Sequence, residues 1–302
     1  MVKRLLALVL LVAIFGAPHL EATTPRINIR YPIVLAHGML GFDKMVGVGG
    51  YWNKIPKTLR AHGVTVYVTR VSKLESTKVR GEQLAKQIKE ILAKSGVQKV
   101  NIIGHSHGGL DARYVAGTYK DMVASVTTVG TPHQGARLAD KLMEGDAICS
   151  YCTVMLKAFG QLLAFLSNDP LEQHVRASLE SLTTQNAKVF NVRFPLGLPQ
   201  TYCGEGPSED QGVRFYSWSG TKVRTNGFDF TDYFLSITAL ADEGETDGLV
   251  ERCSSHFGRV IRDDYKHNHL DLINGMWGHV GNDKHPIDIF VEHAQRLAAD
   301  GL

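Results

Sequence analysis

The chain has 302 residues, a formal net charge of +3, 44% hydrophobic residues and 21% charged residues. That is enough apolar material for one large core, and it excludes a disordered or low-complexity chain. The near balance of charge, with no lysine/arginine stripe, excludes nucleic acid as an expected partner.

The first segment reads as a signal peptide. Lys3 and Arg4 form a basic start, and Leu5 to Phe15 is an unbroken apolar run of 11 residues. Such a run is too short to span a bilayer but suits a signal peptide's core. Gly16-Ala17-Pro18 then breaks the helix, and cleavage is expected after Ala22. Residues 1–22 are thus a leader and 23–302 a single domain, with export to an oxidising compartment through the periplasm. No later apolar stretch is long enough to cross a membrane as a helix.

Pro32 to His37 (PIVLAH) reads as a buried strand, and Val64 to Arg70 (VTVYVTR) as a second. Leu84, Ile88, Ile91 and Leu92 fall at helical spacing within Thr77 to Lys94, and Gly96 terminates that helix. Lys99 to Ile103 (KVNII) is the next strand, Leu110 to Thr118 a helix, and Met122 to Val129 a strand. This alternation predicts a mostly parallel sheet covered by helices, with the site beyond the carboxyl ends of the strands. The second half is less regular. Val213 to Ser219 reads as a strand and His285 to Asp300 as a closing amphipathic helix.

Gly104-His105-Ser106-His107-Gly108 fits G-x-S-x-G. The motif is weak alone, but here it follows a strand and opens a helix, the setting of a nucleophile elbow. Its glycines are needed because side chains there would clash at so sharp a turn. A serine needs a histidine base oriented by a carboxylate, in the chain order Ser, Asp/Glu, His. After Ser106 the acids include Asp242, Glu243, Glu245 and Asp247, and the histidines His256, His267, His269, His279 and His285. Spacing alone does not choose among them. Two backbone N–H donors for an oxyanion are expected from His107 and, in the loop after the first strand, Met39.

In these motifs the chain resembles the secreted bacterial triacylglycerol lipases of the Pseudomonas–Burkholderia type. The matching segments run in order through most of the mature chain. They are YPIVLAHGMLGFD (31–43), NIIGHSHGG (101–109), RYVAG (113–117), TPHQG (131–135), CGEG (203–206), YSWSG (216–220), DGLV (247–250), CSSHFG (253–258), VIRDDY (260–265) and NHLD (268–271). The resemblance implies an α/β-hydrolase fold, with Asp247 as the acid and His269 as the base. It implies a disulfide between Cys203 and Cys253, which on a chain-entropy model would contribute about 4 kcal/mol. It also implies a structural Ca²⁺ held by the carboxylates of Asp229 and Asp271 and by the backbone carbonyls of Gly275 and His279. Cys149 and Cys152 form a C-x-x-C pair outside that pattern, with neither a thioredoxin-like nor a zinc-site context.

Tyr151 to Leu166 reads as a mostly apolar helix with a narrow polar stripe of Thr153, Lys157 and Gln161. Periodicity alone suits a buried core helix equally well. The resemblance places a lid here, at about 145–170. The expected activity is hydrolysis of triacylglycerol esters at an oil–water interface, without an organic cofactor. The alternatives are a carboxylesterase or polyester depolymerase with the same triad, and a lipid-binding protein that keeps the fold without the chemistry. The resemblance also implies a lipase-specific folding chaperone as a partner.

Overall fold

The computed structural model describes residues 25–41, 50–144, 174–227, 229, 231–275 and 278–302. The leader at 1–22, the lid at about 145–170 and the Cys149/Cys152 pair lie outside the described residues.

The centre is a seven-stranded sheet in the order β2-β1-β3-β4-β6-β5, with β7 also paired to β6. The strands are β1 (Ile33–Ala36), β2 (Val66–Val68), β3 (Val100–His105), β4 (Val123–Val129), β5 (Glu209–Asp210), β6 (Val213–Gly220) and β7 (Arg259–Tyr265). All the pairings are parallel except the short β5–β6 pair. Parallel strands need both faces covered, and the helices cover them. Among the described residues these are α1 (Ile55–Ala61), α2 (Thr77–Ser95), α3 (His107–Thr118), α4 (Arg137–Glu144), α5 (Val175–Leu182), α6 (Thr184–Arg193), α7 (Thr231–Thr238) and α8 (Pro286–Ala299).

The pleat sorts the core into two layers. Ile33 and Leu35 of β1 and Ile103 of β3 pack with Ile55 and Leu59 of α1 and Ile289, Phe290 and Leu297 of α8. The alternate residues Val34, Ala36 and Ile102 pack on the other face with Leu84 and Ile88 of α2 and Val115 of α3. This period-2 division explains why β1 and β3 read as continuous apolar runs: each is buried on both sides.

Local signals set the helix ends. Ser76 caps α2 by accepting from Val79 N–H, and Gly96 ends it in the left-handed region at φ 71°. Pro286 opens α8. One boundary differs from expectation. Helix α3 begins at His107, through Gly108 and Gly109, three residues before the expected start. Glycine disfavours helix, but Gly108 packs on the Ala36 carbonyl and Gly109 on Thr131, where a side chain would collide. Tertiary packing overrides propensity there.

The chain runs from β1 to β2 on one side and crosses back to β3 on the other. The carboxyl ends of β1 and β3 therefore flank a switch point, where an open α/β sheet leaves a crevice.

Candidate active site

Ser106 sits between β3 and α3 at φ 55° and ψ −129°, a conformation that L side chains rarely adopt. Its N–H donates to the Val129 carbonyl at 2.9 Å, and its carbonyl accepts from Gly109 N–H at 3.0 Å and Thr131 Oγ1 at 2.9 Å. Gly104 and Gly108 face each other across the turn so closely that a side chain on Gly104 would strike the Gly108 backbone. Three chain segments thus hold the strained serine in place.

His269 and Asp247 come from two loops of the second half and meet in a buried pair, His269 Nδ1 to Asp247 Oδ2 at 2.7 Å. The other Asp247 oxygen accepts from Leu249 N–H at 3.0 Å and Val250 N–H at 2.9 Å. The two loops are tied again by His269 N–H to the Asp247 carbonyl at 2.9 Å. A carboxylate fed by two backbone donors is fixed in place, and it selects the imidazole tautomer with the proton on Nδ1. Of the four acids and five histidines considered, Asp247 and His269 form this pair. His256 instead bonds Asp263 at 2.9 Å, and both ring nitrogens of the buried His267 lack a partner among the described residues.

Ser106 and His269 line one predominantly apolar cavity. Its walls are Met39, Leu40, Leu138, Leu142, Leu179, Leu182, Phe234, Leu249 and Ile273. An aliphatic chain would be dehydrated on entering such a space, at roughly 25 cal/mol per Å² of apolar surface removed from water.

The loop after β1 is held from beneath. Arg80, fully buried on α2, pairs with Asp111 of α3 at 2.8 Å and donates to the His37 carbonyl at 2.7 Å and the Gly38 carbonyl at 3.4 Å. In a trans peptide the C=O and the next N–H point opposite ways. Holding the Gly38 carbonyl on Arg80 therefore turns Met39 N–H away from α2. The His107 side chain is buried beside this pair, its Nε2 bonded to Thr77 Oγ1 at 2.8 Å. Burial, then the nearby Arg80 charge, holds the His107 imidazole well below its usual range. His107 is thus neutral, and its backbone N–H at the start of α3 is the group that can face a developing anion.

His105 is the last residue of β3. Its Nδ1 lies 2.5 Å from Tyr51 Oη, and its Nε2 lies 3.0 Å from the His269 carbonyl oxygen. Tyr51 Oη also accepts from Gly38 N–H at 3.0 Å.

Of the candidate metal ligands, Asp271, Gly275 and the His279 carbonyl lie together, and Asp229 is near enough for its charge to act on Asp271. Asp229 and Asp271 are both buried, and each has one carboxylate oxygen (Asp229 Oδ2, Asp271 Oδ1) without a partner among the described residues. Asp229 Oδ1 accepts from Thr231 N–H at 2.8 Å and Thr231 Oγ1 at 2.7 Å. A Cβ added at Gly275 would lie 2.7 Å from the His279 carbonyl oxygen and 3.7 Å from Asp271 Oδ1. Burial, with the neighbouring Asp229 and Asp232 charges, pushes the Asp271 carboxyl up to about 7. Two buried carboxylates with orphaned oxygens, one of them beside a carbonyl, are oxygen groups that a hard cation would satisfy. Among the described residues no group of three or more His, Cys, Asp or Glu could hold a metal, so such a site depends on its carbonyls.

Cys203 and Cys253 form a disulfide with Cα atoms 4.4 Å apart. It joins the segment before β6 to the segment between Asp247 and β7.

A family model described as the alpha/beta hydrolase fold matches residues 31–201. The mature Bacillus licheniformis lipase BlEst2 superposes with a TM-score of 0.62 at 21% identity, over 92% of this chain and 95% of that one. The Staphylococcus hyicus lipase gives 0.60 at 18% identity, over 92% and 98%. At those identities the likeness is one of fold. The sequence relatives decide further. A triacylglycerol lipase of Vibrio cholerae is 43% identical over 90% of this chain and 89% of its own. One of Pseudomonas fragi is 38% identical over 91% and 99%, and one of Burkholderia plantarii 37% over 90% and 87%.

The chain belongs to the bacterial triacylglycerol lipase family. In this lipase the motif reading reached Ser106, His107 and Met39, and the resemblance chose Asp247 and His269. Neither reached Tyr51, Arg80, Asp111 or the side chain of His105. Their only sequence signals are a buried-face arginine on α2 and a histidine inside the elbow motif, and neither states what it bonds.

Proposed function

We propose that this lipase is exported and hydrolyses triacylglycerol esters by acyl transfer through Ser106, His269 and Asp247. The observation that carries the reading is the buried 2.7 Å Asp247–His269 pair opening on the same apolar cavity as the strained Ser106. His269 takes the Ser106 proton as the hydroxyl oxygen attacks the ester carbonyl. Asp247 stabilises the imidazolium that forms. The N–H groups of Met39 and His107 hold the oxyanion, and His269 then protonates the departing alcohol. Water repeats the sequence to release the fatty acid.

The flanks of the expected lid support its placement at about 145–170. Leu138 and Leu142 of α4, before it, and Leu179 and Leu182 of α5, after it, all line the cavity. A lid joining two cavity walls would be suited to cover the mouth, and an apolar inner face would open most readily at an oil surface. The disulfide suits the oxidising route that the leader implies. Asp229 and Asp271, with the carbonyls of Gly275 and His279, would hold Ca²⁺. When bound, the ion would supply positive charge to two buried carboxylates. Asp271, two residues after His269, would then anchor the loop that carries the base.

The test is hydrolysis of a triglyceride series, from short to long acyl chains, measured across the solubility limit with Ser106→Ala as control. A sharp rise when the emulsion forms, lost in the variant, supports an interfacial lipase. Saturation on soluble short esters without that rise would instead make it a carboxylesterase.

A further inference from the structure

His105 lies within the nucleophile motif, but its side chain is spent on the opposite face of the sheet from α3. There it follows Ile103 along the pleat, under the T-shaped ring of Trp52 at 6.2 Å. It is fully buried. Its hydrogen bonds fix their own directions. The His269 carbonyl can only accept, so His105 Nε2 carries the proton and donates at 3.0 Å. Burial, then the nearby His269, holds the His105 imidazole well below its usual range, so the ring is neutral and Nδ1 is an acceptor. Tyr51 Oη must therefore donate to Nδ1, while the same oxygen accepts Gly38 N–H at 3.0 Å. Burial drives the Tyr51 phenol far above its usual range, which keeps that donor protonated. One assignment of protons satisfies all three of these hydrogen bonds.

The two ends of this relay are functionally distinct. Gly38 precedes Met39 in the loop proposed to bind the oxyanion. The His269 carbonyl belongs to the residue proposed as base. Ser106 is covalently next to His105, in the middle. The rings of His105 and His269 are 4.5 Å apart, close enough for the neutral state of one to matter to the charge the other gains.

We infer that His105 and Tyr51 are positioning residues that set the oxyanion loop, the nucleophile and the base in register for acyl transfer. This rests on the proposed roles of Ser106, His269 and Met39. Neither side chain reacts. A displacement of about 1 Å among such parts costs on the order of 100-fold in rate, so the relay acts on kcat more than on substrate binding.

Four variants test it on a soluble short-chain ester, with rates divided by the number of sites that a phosphonate ester labels at Ser106. His105→Phe keeps the ring and removes both hydrogen bonds; kcat is expected to fall about 100-fold with KM nearly unchanged. His105→Gln can still donate from Nε2 to the His269 carbonyl and is expected to recover roughly a tenth of the wild-type rate. Tyr51→Phe removes only the phenol and is expected to lose about 10-fold, and it serves should His105→Phe not fold. The double variant is expected to match His105→Phe rather than the product of the two losses, because both act through one chain. Unchanged kcat per labelled site with a lowered Tm would overturn the inference and leave the relay purely structural. Additive losses in the double variant would also overturn it. Failure of the underlying lipase reading looks different: wild-type Ser106 would take no label, or Ser106→Ala would keep the activity.

Discussion

The nucleophile and its two partners are held by different kinds of structure. Ser106 lies where a strand meets a helix, and within five residues the chain supplies the strand, the turn glycines and the helix start. Asp247 and His269 stand on loops with little regular structure, and what fixes them is a set of side-chain cross-links, some within the loop and one, the disulfide, from far along the sequence. Arg252 bonds Glu245 and Asp263, Thr246 bonds Asp242, and the Cys203–Cys253 bridge closes over 50 residues. A local device is robust because its parts are covalently adjacent. The loop device can be adjusted piece by piece, and it depends on cross-links that are separately removable.

Ser106→Ala should break the chemistry without touching either scaffold. Ester hydrolysis is expected to fall on the order of 10⁶-fold with an unchanged unfolding transition. Residual turnover well above that level would mean a different nucleophile. Asp247→Asn comes next, with kcat down by about 10⁴ because an amide no longer enforces the imidazole tautomer. A loss of less than 10-fold would show that another acid of the 242–251 loop substitutes.

Two further experiments act on the loop side alone. Replacing Cys203 and Cys253 together by serine should lower stability by about 4 kcal/mol in denaturant titration, with kcat of the remaining folded enzyme much less affected. An equal drop in kcat at low temperature would show that the bridge shapes the site. Chelating Ca²⁺ should lower Tm, corresponding to about 2.7 kcal/mol if the ion is present at 100 times its Kd. Asp229→Asn and Asp271→Asn should each abolish the response to chelator. A Tm indifferent to chelation would remove calcium from the account.

The smallest effect is at Asp263. Burial alone would raise its carboxyl, but hydrogen bonds from Arg252 and His256 outweigh that and hold it below the usual range. A group with a depressed folded pKa contributes stability above its unfolded value of about 3.9 and loses it as pH falls through the lower folded one. The side chain is partly exposed, so solvent screening limits the contribution to below about 1 kcal/mol. Asp263→Asn should lower stability by that little at pH 7 and by nothing near pH 2. A pH-independent cost would point to packing instead.

The same contrast governs what could be read from the chain. β1, β3 and α2 were legible because apolar period and capping residues are local signals, and Ser106 because its glycines are. The Asp247–His269 pair was not legible from spacing, since loops carry no period and any acid could precede any histidine; only the resemblance chose between them. Arg80, Asp111, Tyr51 and His105 stayed hidden because the contacts that join them, Arg80–Asp111 and Tyr51–His105, link residues 30 or more apart. Helix α3 started earlier than propensity suggests for the same reason, since Gly108 and Gly109 answer to neighbours rather than to sequence.

The backbone of Ser106 is a debt that catalysis keeps open. At φ 55° and ψ −129° a side-chain-bearing residue stores roughly 1–3 kcal/mol that glycine would not. A lipase with Ser106→Gly should therefore melt later than the wild type while hydrolysing nothing. Selection for thermal endurance alone would erode the nucleophile, and only continued demand for ester turnover keeps a serine in a glycine's place.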